Sequence, residues 1–323
     1  MALRLLSQTT SHPCGDAGLF VDILGEGRAF LFDLGNSVKL SNRLIRRVEV
    51  VLISHTHLDH FVNITYFIRN SITRETPIKM IGPPGFIKNV QGLFNAFTWN
   101  ISEEYPLNLH IIEYNEKTIK EARFSAKNKF RMEYLGRRRA PEFLIEDKTI
   151  TLKGCILDHG TEVLAYRLDE KRHINVKKDR LQSLGFESGP WLNNLKKAIV
   201  DELPENTIIE TPKGSFPLKK LKDDLILITE GHSIGYLVDF NYTEENLEKI
   251  LKNFKGVQLL YIEASFKKTE WKRAKKRKHL TSHQAGKIAK MLSVKKVVPI
   301  HLSPKFLGKE NLIFEEVKKS FLK

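Results

Sequence analysis

Six consecutive residues, His55-Thr56-His57-Leu58-Asp59-His60, set the terms on which this chain can fold. They follow directly on the apolar run 48–54, Val-Glu-Val-Val-Leu-Ile-Ser, which reads as a buried strand. The chain has 11 histidines, and three of them fall in this window. Crowding imidazoles and a carboxylate into one turn is unfavourable unless something binds them, because buried polar groups need partners. Neutral imidazole nitrogen and carboxylate oxygen are the donors that Zn²⁺ accepts. A tight turn leaving a strand can aim His55 and His57 at one metal ion and Asp59 and His60 at a second. Two-metal sites hold their ions roughly 3.5–4 Å apart.

Four residues do not fill two coordination spheres, so further ligands belong at the ends of other strands. Short apolar runs at 29–34, 149–155, 163–168, 225–229, 234–239, 257–262 and 297–300 read as strands, and residues 1–7 as a first one. His159, Asp239 and His301 each stand just past or at the end of such a run, where an α/β sheet gathers its chemistry. Helices are expected at 243–253, with Leu247, Ile250 and Leu251 on one face, and at 281–292, with Ala285, Ile288, Ala289 and Leu292.

The rest of the chain narrows the class. Lys and Arg total 53 against 38 Asp and Glu, a formal charge of +15, which favours a polyanionic partner through phosphate contacts. No apolar run approaches the roughly 18–20 residues of a membrane span, so no membrane partner is expected. With two cysteines, Cys14 and Cys155, a disulfide framework is not expected, and a reducing cytoplasm suits the chain. Residues 170–222 interrupt the strand pattern. They carry 11 Lys and Arg against 7 Asp and Glu, and include Gly185, Gly189-Pro190, Pro204, Pro212, Gly214 and Pro217. Structureless loops of this length are uncommon unless they serve a function. The expected organisation is a core from 1–169, an inserted and projecting segment at 170–222, and the second part of the core at 223–323.

The ordered set His55-x-His57-x-Asp59-His60, His159, Asp239, His301 resembles the metallo-β-lactamase superfamily. The resemblance covers nearly the whole chain. It implies an α/β fold of four layers, an αβ/βα sandwich of two facing mixed sheets with helices outside and a dimetal site at one edge. Within the superfamily, several segments resemble the ribonuclease Z family. Leu31-Phe32-Asp33-Leu34-Gly35 is similar to its first motif, and Gly82-Pro83-Pro84-Gly85 to its glycine-proline turn. Ser188-Gly189-Pro190-Trp191 resembles the arm with which the family grips tRNA away from the active site. Glu263-Ala264-Ser265-Phe266, His279-Leu280-Thr281 and His301-Leu302-Ser303-Pro304 resemble three further motifs. Two positions depart from the pattern: Asn36-Ser37-Val38 stands where the family has Glu-Gly-Thr, and Leu58 where it has glycine. Both leave the ligands intact and bear on the shape of the cleft.

The resemblance implies a metal-dependent endoribonuclease that trims the 3′ end of precursor tRNA, acting as a homodimer. One metal takes His55, His57 and His159, the other Asp59, His60 and His301, with Asp239 between them. Two divalent ions are expected, Zn²⁺ first, with Mn²⁺ and Fe²⁺ as alternatives. Asp59 orients or deprotonates the attacking water, His279 protonates the leaving oxygen and Glu263 orients His279. The stretch 267–278 holds eight Lys and Arg in twelve residues. Lys267, Lys268, Lys272, Arg273, Lys275, Lys276, Arg277 and Lys278 are expected to hold tRNA phosphates, with Gly189 and Pro190 touching RNA from the arm. The competing readings are a small-molecule phosphodiesterase on the same fold, acting for example on a cyclic nucleotide, and a catalytically silent tRNA-binding module. A small-molecule enzyme has no use for the arm or the basic run, and a silent relative is expected to have lost ligands.

Overall fold

The computed structural model describes residues 5–35 and 40–322. Eight strands form a first sheet in chain order: β1 (Leu5–Thr9), β2 (Leu19–Ile23), β3 (Arg28–Phe32), β4 (Val48–Leu52), β5 (Ile78–Gly82), β6 (Asn108–Asn115), β7 (Thr118–Ser125) and β8 (Met132–Arg139). β3 to β6 run parallel and the margins antiparallel. β9 (Ile145–Glu146), β10 (Ile150–Asp158) and β11 (Glu162–Glu170) begin a second sheet. The chain then leaves it through β12 (Arg172–Val176), β13 (Ile208–Thr211), β14 (Gly214–Pro217) and β15 (Ile226–Glu230). It returns with β16 (Ser233–Leu237), β17 (Leu259–Glu263) and β18 (Lys296–Ile300), giving the order β18-β17-β16-β11-β10-β9.

The alternation of side chains along each strand explains the layers. In β3 and β4, Phe30, Phe32, Val50 and Leu52 face inward and share a core with Leu152, Tyr166, Leu168 and Tyr236 of the second sheet. Leu31, Val51, Ile53 and Met80 face the other way, under the helices Ile64–Ser71 and Phe86–Asn95. The outer face of the second sheet, with Leu237, Leu260 and Ile262, is covered by the helices Glu244–Phe254, Ser282–Met291 and Asn311–Leu322. Strands buried on both faces are why 48–54 reads as continuous apolar sequence. Thr243 and Thr281 cap the first two of these helices, each hydroxyl accepting from the backbone N–H three residues on. The four layers are those expected from the sequence.

One expected core strand lies elsewhere. The run 225–229 was read with the buried strands, yet Leu225 ends a helix and β15 forms a two-stranded ribbon with β12. Leu227 and Ile228 of that ribbon are exposed. The place beside β11 belongs to β16, and an apolar run of this length does not reveal its partner. The segment from β12 to β15 packs around its own small core of Ile174, Leu181, Trp191, Leu195, Leu221 and Leu225, among others. Its return strand therefore extends past residue 222. The segment leaves from the far end of β11, whose nine residues span about 30 Å from the turn that carries His159. Of the first strand expected at 1–7, residues 5–7 fall in β1, which runs on to Thr9, and 1–4 lie outside the described residues.

Candidate dimetal centre

The strand ends build the site. β4 runs out through Ile53 and Ser54 to His55, and His57 precedes a single helical turn, Leu58–Phe61, that turns Asp59 and His60 back towards the sheet. His159 follows β10 in a tight turn closed by Gly160 at φ 82°. Asp33 after β3, Asp239 after β16 and His301 after β18 take left-handed backbone at φ 54°, 50° and 52°. Such conformations are unfavourable by about 1–3 kcal/mol for a residue with a side chain, and they collect where geometry is imposed by a site.

The seven expected ligands converge. His55, His57, His159 and Asp239 each offer a donor atom within 4.8 Å of the others, and so do Asp59, His60, Asp239 and His301. Asp239 belongs to both groups. Its Oδ2 lies 3.7 Å from His55 Nε2, 3.3 Å from His60 Nε2 and 3.8 Å from His159 Nε2. His301 sits between two carboxylates, Nδ1 2.9 Å from Asp239 and Nε2 3.2 Å from Asp59. His55 Nε2, His60 Nε2, Asp239 Oδ1 and His301 Nδ1 are buried without a hydrogen bond. Leaving a buried polar atom unpaired costs about 1–3 kcal/mol. Four such atoms around one point are satisfied together by divalent cations, and the nitrogen-oxygen donor set suits them.

The electrostatics agree. Burial, with His60 next to it, lowers the His55 imidazole to about 2, so it is held neutral as a ligand must be. Burial also disfavours charge on His60, but the Asp239 and Asp33 carboxylates outweigh it and push that ring up to about 10. Burial would raise Asp239, yet the flanking His301 and His60 hold it well below the usual carboxylate range. Positive charge is thus favoured at the centre of the cluster, where a divalent cation would take the place of the protons.

A second layer fixes the ligands. Asp33 accepts from His60 Nδ1 at 2.8 Å, from the Ser54 backbone N–H at 2.7 Å, from the Ser54 hydroxyl at 2.8 Å and from the Tyr236 hydroxyl at 2.9 Å. This leaves His60 Nε2 facing Asp239, and it follows the pattern in which a metal-bound histidine gives its other N–H to a carboxylate. From the sequence, Asp33 stood only within the segment similar to the family's first motif, with no role; Ser54 and Tyr236 were missed. An aspartate closing the apolar strand beside the cluster was the available signal. His159 donates from Nδ1 to the Lys278 carbonyl at 2.7 Å. Lys278, expected as an RNA contact, therefore acts on the site through its backbone as well.

Glu263 and His279 form a pair, His279 Nδ1 to Glu263 Oε2 at 2.9 Å. Glu263 is fully buried and also accepts from the Phe240 N–H and the Ser265 hydroxyl. Burial disfavours the charged His279 ring, but the Glu263 carboxylate more than compensates and its pKa is raised. The His279 ring lines a cleft of about 280 Å³ together with Asp59, His301, Arg273 and Arg277.

The expected RNA-contacting residues do not share one surface. Lys268 belongs to a 3₁₀ turn and Lys272 to Arg277 to the helix Trp271–Arg277. Arg273 and Arg277, one turn apart and exposed, line the cleft; Lys268, Lys272, Lys275, Lys276 and Lys278 are exposed and do not line it, and Lys267 is half-buried. Gly189 and Pro190 lie in the β12–β15 segment, just before the helix Trp191–Val200. Of the two departures, the Leu58 side chain is 76% exposed beside His57, so it adds apolar surface at the rim of the site. Residues 36–38 lie outside the described residues.

No family model matches the chain. Among solved structures, the chain is similar to the metallo-β-lactamase fold protein YhfI from Bacillus subtilis, with a TM-score of 0.57 and 14% identity over 98% of this chain and 92% of that one. This is the metallo-β-lactamase fold. A second structure with the same fold is the short form of human tRNase Z, with a TM-score of 0.52 and 16% identity, covering 92% of this chain and 91% of that one. In sequence, the chain is 26% identical to the ribonuclease Z of Deinococcus radiodurans over 308 residues, 94% of this chain and 91% of the relative. It is 26% identical to that of Anoxybacillus flavithermus over 303 residues, 91% and 83% of the two chains. The resemblance to ribonuclease Z read from the motifs is borne out by these relatives.

Proposed function

We propose that the chain is a metal-dependent endoribonuclease that cleaves the 3′ trailer from precursor tRNA, a ribonuclease Z. The observation that carries the reading is the end-to-end similarity to proteins of that name, joined to a cluster that gathers all seven candidate ligands around Asp239. His55, His57 and His159 would hold one metal and Asp59, His60 and His301 the other, with Asp239 within reach of both groups. Two divalent ions, Zn²⁺ first, would supply there a water activated near neutral pH and neutralise charge on the phosphoryl oxygens. Asp59 orients the attacking water or takes its proton, from the wall of the cleft. His279, whose charged form Glu263 favours, gives its proton to the leaving 3′ oxygen.

Arg273 and Arg277 hold phosphates on either side of the scissile bond, and the remaining lysines of 267–278 steer the polyanion towards them. The β12–β15 segment serves as the arm. Its root lies about 30 Å from the cluster along β11, so it meets parts of the RNA remote from the cut. A homodimer, in which the arm of one copy serves the site of the other, fits that separation. No helix of the described residues is long and apolar enough to cross a membrane, and Cys14 and Cys155 are free and buried, as suits a cytoplasmic enzyme.

The test is cleavage of a 3′-extended precursor tRNA beside a small chromogenic phosphodiester. Cutting of the tRNA near its discriminator base, lost in His57→Ala, supports the reading. Turnover of the small ester with the tRNA untouched rejects it in favour of a small-molecule phosphodiesterase.

A further inference from the structure

The β12–β15 segment is joined to the second sheet by two crossings that touch. The chain leaves after Glu170 at the end of β11 and returns through Gly231 and His232 into β16. The Glu170 N–H donates to the His232 carbonyl at 2.8 Å. A side chain on Gly231 would meet the Glu170 carbonyl oxygen at 1.8 Å, so only glycine allows this approach.

Three ionisable side chains meet at the crossing. Glu170 and His173 are buried, at 4% and 5% exposure. The Glu170 carboxylate accepts from His173 Nδ1 at 3.0 Å and from the His232 backbone N–H at 3.1 Å. The Gln258 side-chain amide donates to the Gly231 carbonyl at 3.0 Å, which turns its Oε1 towards His232 Nδ1 at 3.2 Å. An oxygen there can only accept, so the His232 proton sits on Nδ1 and the lone pair on Nε2. The His173 and His232 rings meet edge to face, centroids 5.2 Å apart. One oxygen of Glu170 and one nitrogen of each ring lie within 4.8 Å of one another. Beside them is a cavity of about 730 Å³, lined by Glu170 and His173 together with Arg28, Asp147 and Asn194.

We propose that Glu170, His173 and His232 form a separate divalent-metal site, suited to Zn²⁺, at the root of the segment. Two imidazoles and a carboxylate are a zinc donor set, and water from the cavity completes the coordination. The cation takes the place of the proton between His173 Nδ1 and Glu170, and that proton moves to Nε2, so the ring stays neutral. Gln258 is the outer partner that orients His232. The bound ion ties together the last residue of β11, the first strand of the segment and the returning crossing, and so sets the angle at which the segment leaves the core. The site stands at the opposite end of β11 from the dimetal centre and does not depend on the reaction catalysed there.

The experiment is a count of metal. The full chain is stripped with a chelator, dialysed against excess Zn²⁺, and its zinc measured by mass spectrometry. The wild type is expected to hold one more Zn²⁺ per chain than His173→Ala or His232→Gln. Because His232→Gln leaves the Glu170–His173 pair intact, it guards against a loss of fold in the first variant. Equal counts in wild type and His232→Gln overturn the proposal. Zinc-edge anomalous diffraction from wild-type crystals needs no variant. A peak between His173 and His232 supports the site, at the roughly 2.0–2.1 Å typical of Zn–N bonds. Peaks confined to the surroundings of Asp239 overturn it.

Discussion

The two-sheet core and the β12–β15 segment solve the problem of holding functional groups in opposite ways. In the core, every candidate ligand follows the end of a strand, directly or through the helical turn Leu58–Phe61, and the strands are buried on both faces by three apolar clusters. The site inherits the rigidity of the sheets, and its left-handed residues are held by them. The segment has one small cluster of its own, with Trp191 packed against Phe186 and its indole N–H donated to the Glu187 carbonyl. It joins the core through two adjacent crossings and, among the described residues, shares no apolar cluster with it. On the proposed function, chemistry and long-range grip fall to units that can be damaged separately.

The strongest blow to the core half is Asp239→Asn. The variant removes the carboxylate common to both ligand groups and leaves His55, His60, His159 and His301 without a shared anion. Cleavage is expected to fall to background on both tRNA and the small ester, with bound metal at the cluster lost, while the segment stays folded. Metal analysis alongside both assays checks this. Full turnover on either substrate would remove Asp239 from the site.

His279→Ala is the next largest. Loss of a positioned proton donor typically slows a reaction by about 10²–10⁴-fold. The fall is expected in kcat, with metal content unchanged, because His279 belongs to neither of the two main ligand groups. A leaving group that needs no proton, such as a nitrophenolate, should lose far less. Equal losses on both substrates would make His279 a structural residue.

Trp191→Ala tests the separation from the other side. Truncating a buried tryptophan costs about 3–5 kcal/mol. The small cluster has little else to share the loss, so the segment is expected to loosen and become open to proteases between β12 and β15. KM for precursor tRNA should rise, while kcat/KM for the small ester stays as it was. If both substrates suffered alike, segment and core would be one cooperative unit.

How much of this was legible in the sequence follows the same division. The six-residue cluster was legible because its ligands are contiguous, and His159, Asp239 and His301 because each ends an apolar run. The layers followed from strands that are apolar throughout. What sets the ligands in place was not legible. Tyr236 reaches Asp33 across 203 residues of sequence, through the packing of one sheet on the other. The Lys278 carbonyl that orients His159 carries no side-chain signature at all. The run 225–229 looked like a core strand because apolar character reports burial and not partner. The Glu170, His173 and His232 group escaped notice because two of its members lie on opposite crossings of a segment whose ends only the fold brings together.

The finest test concerns the basic run, where the sequence showed eight charges and the structure sorts them by face. Arg273 and Arg277 are four apart on one helix and line the cleft, whereas Lys275 and Lys276, equally exposed, do not line it. Each phosphate neutralised by a side chain contributes roughly 0.7–0.9 to the slope of log K against log salt. The Arg273→Ala/Arg277→Ala pair is therefore expected to lower that slope for tRNA by roughly one to two. The Lys275→Ala/Lys276→Ala pair carries the same charge change and is expected to leave the slope nearly unaltered, slowing only association. Titrating both pairs against tRNA at several salt concentrations separates contact from steering. Equal drops would mean that the RNA covers the whole helix, and that the cleft-facing arginines are distinguished by position alone.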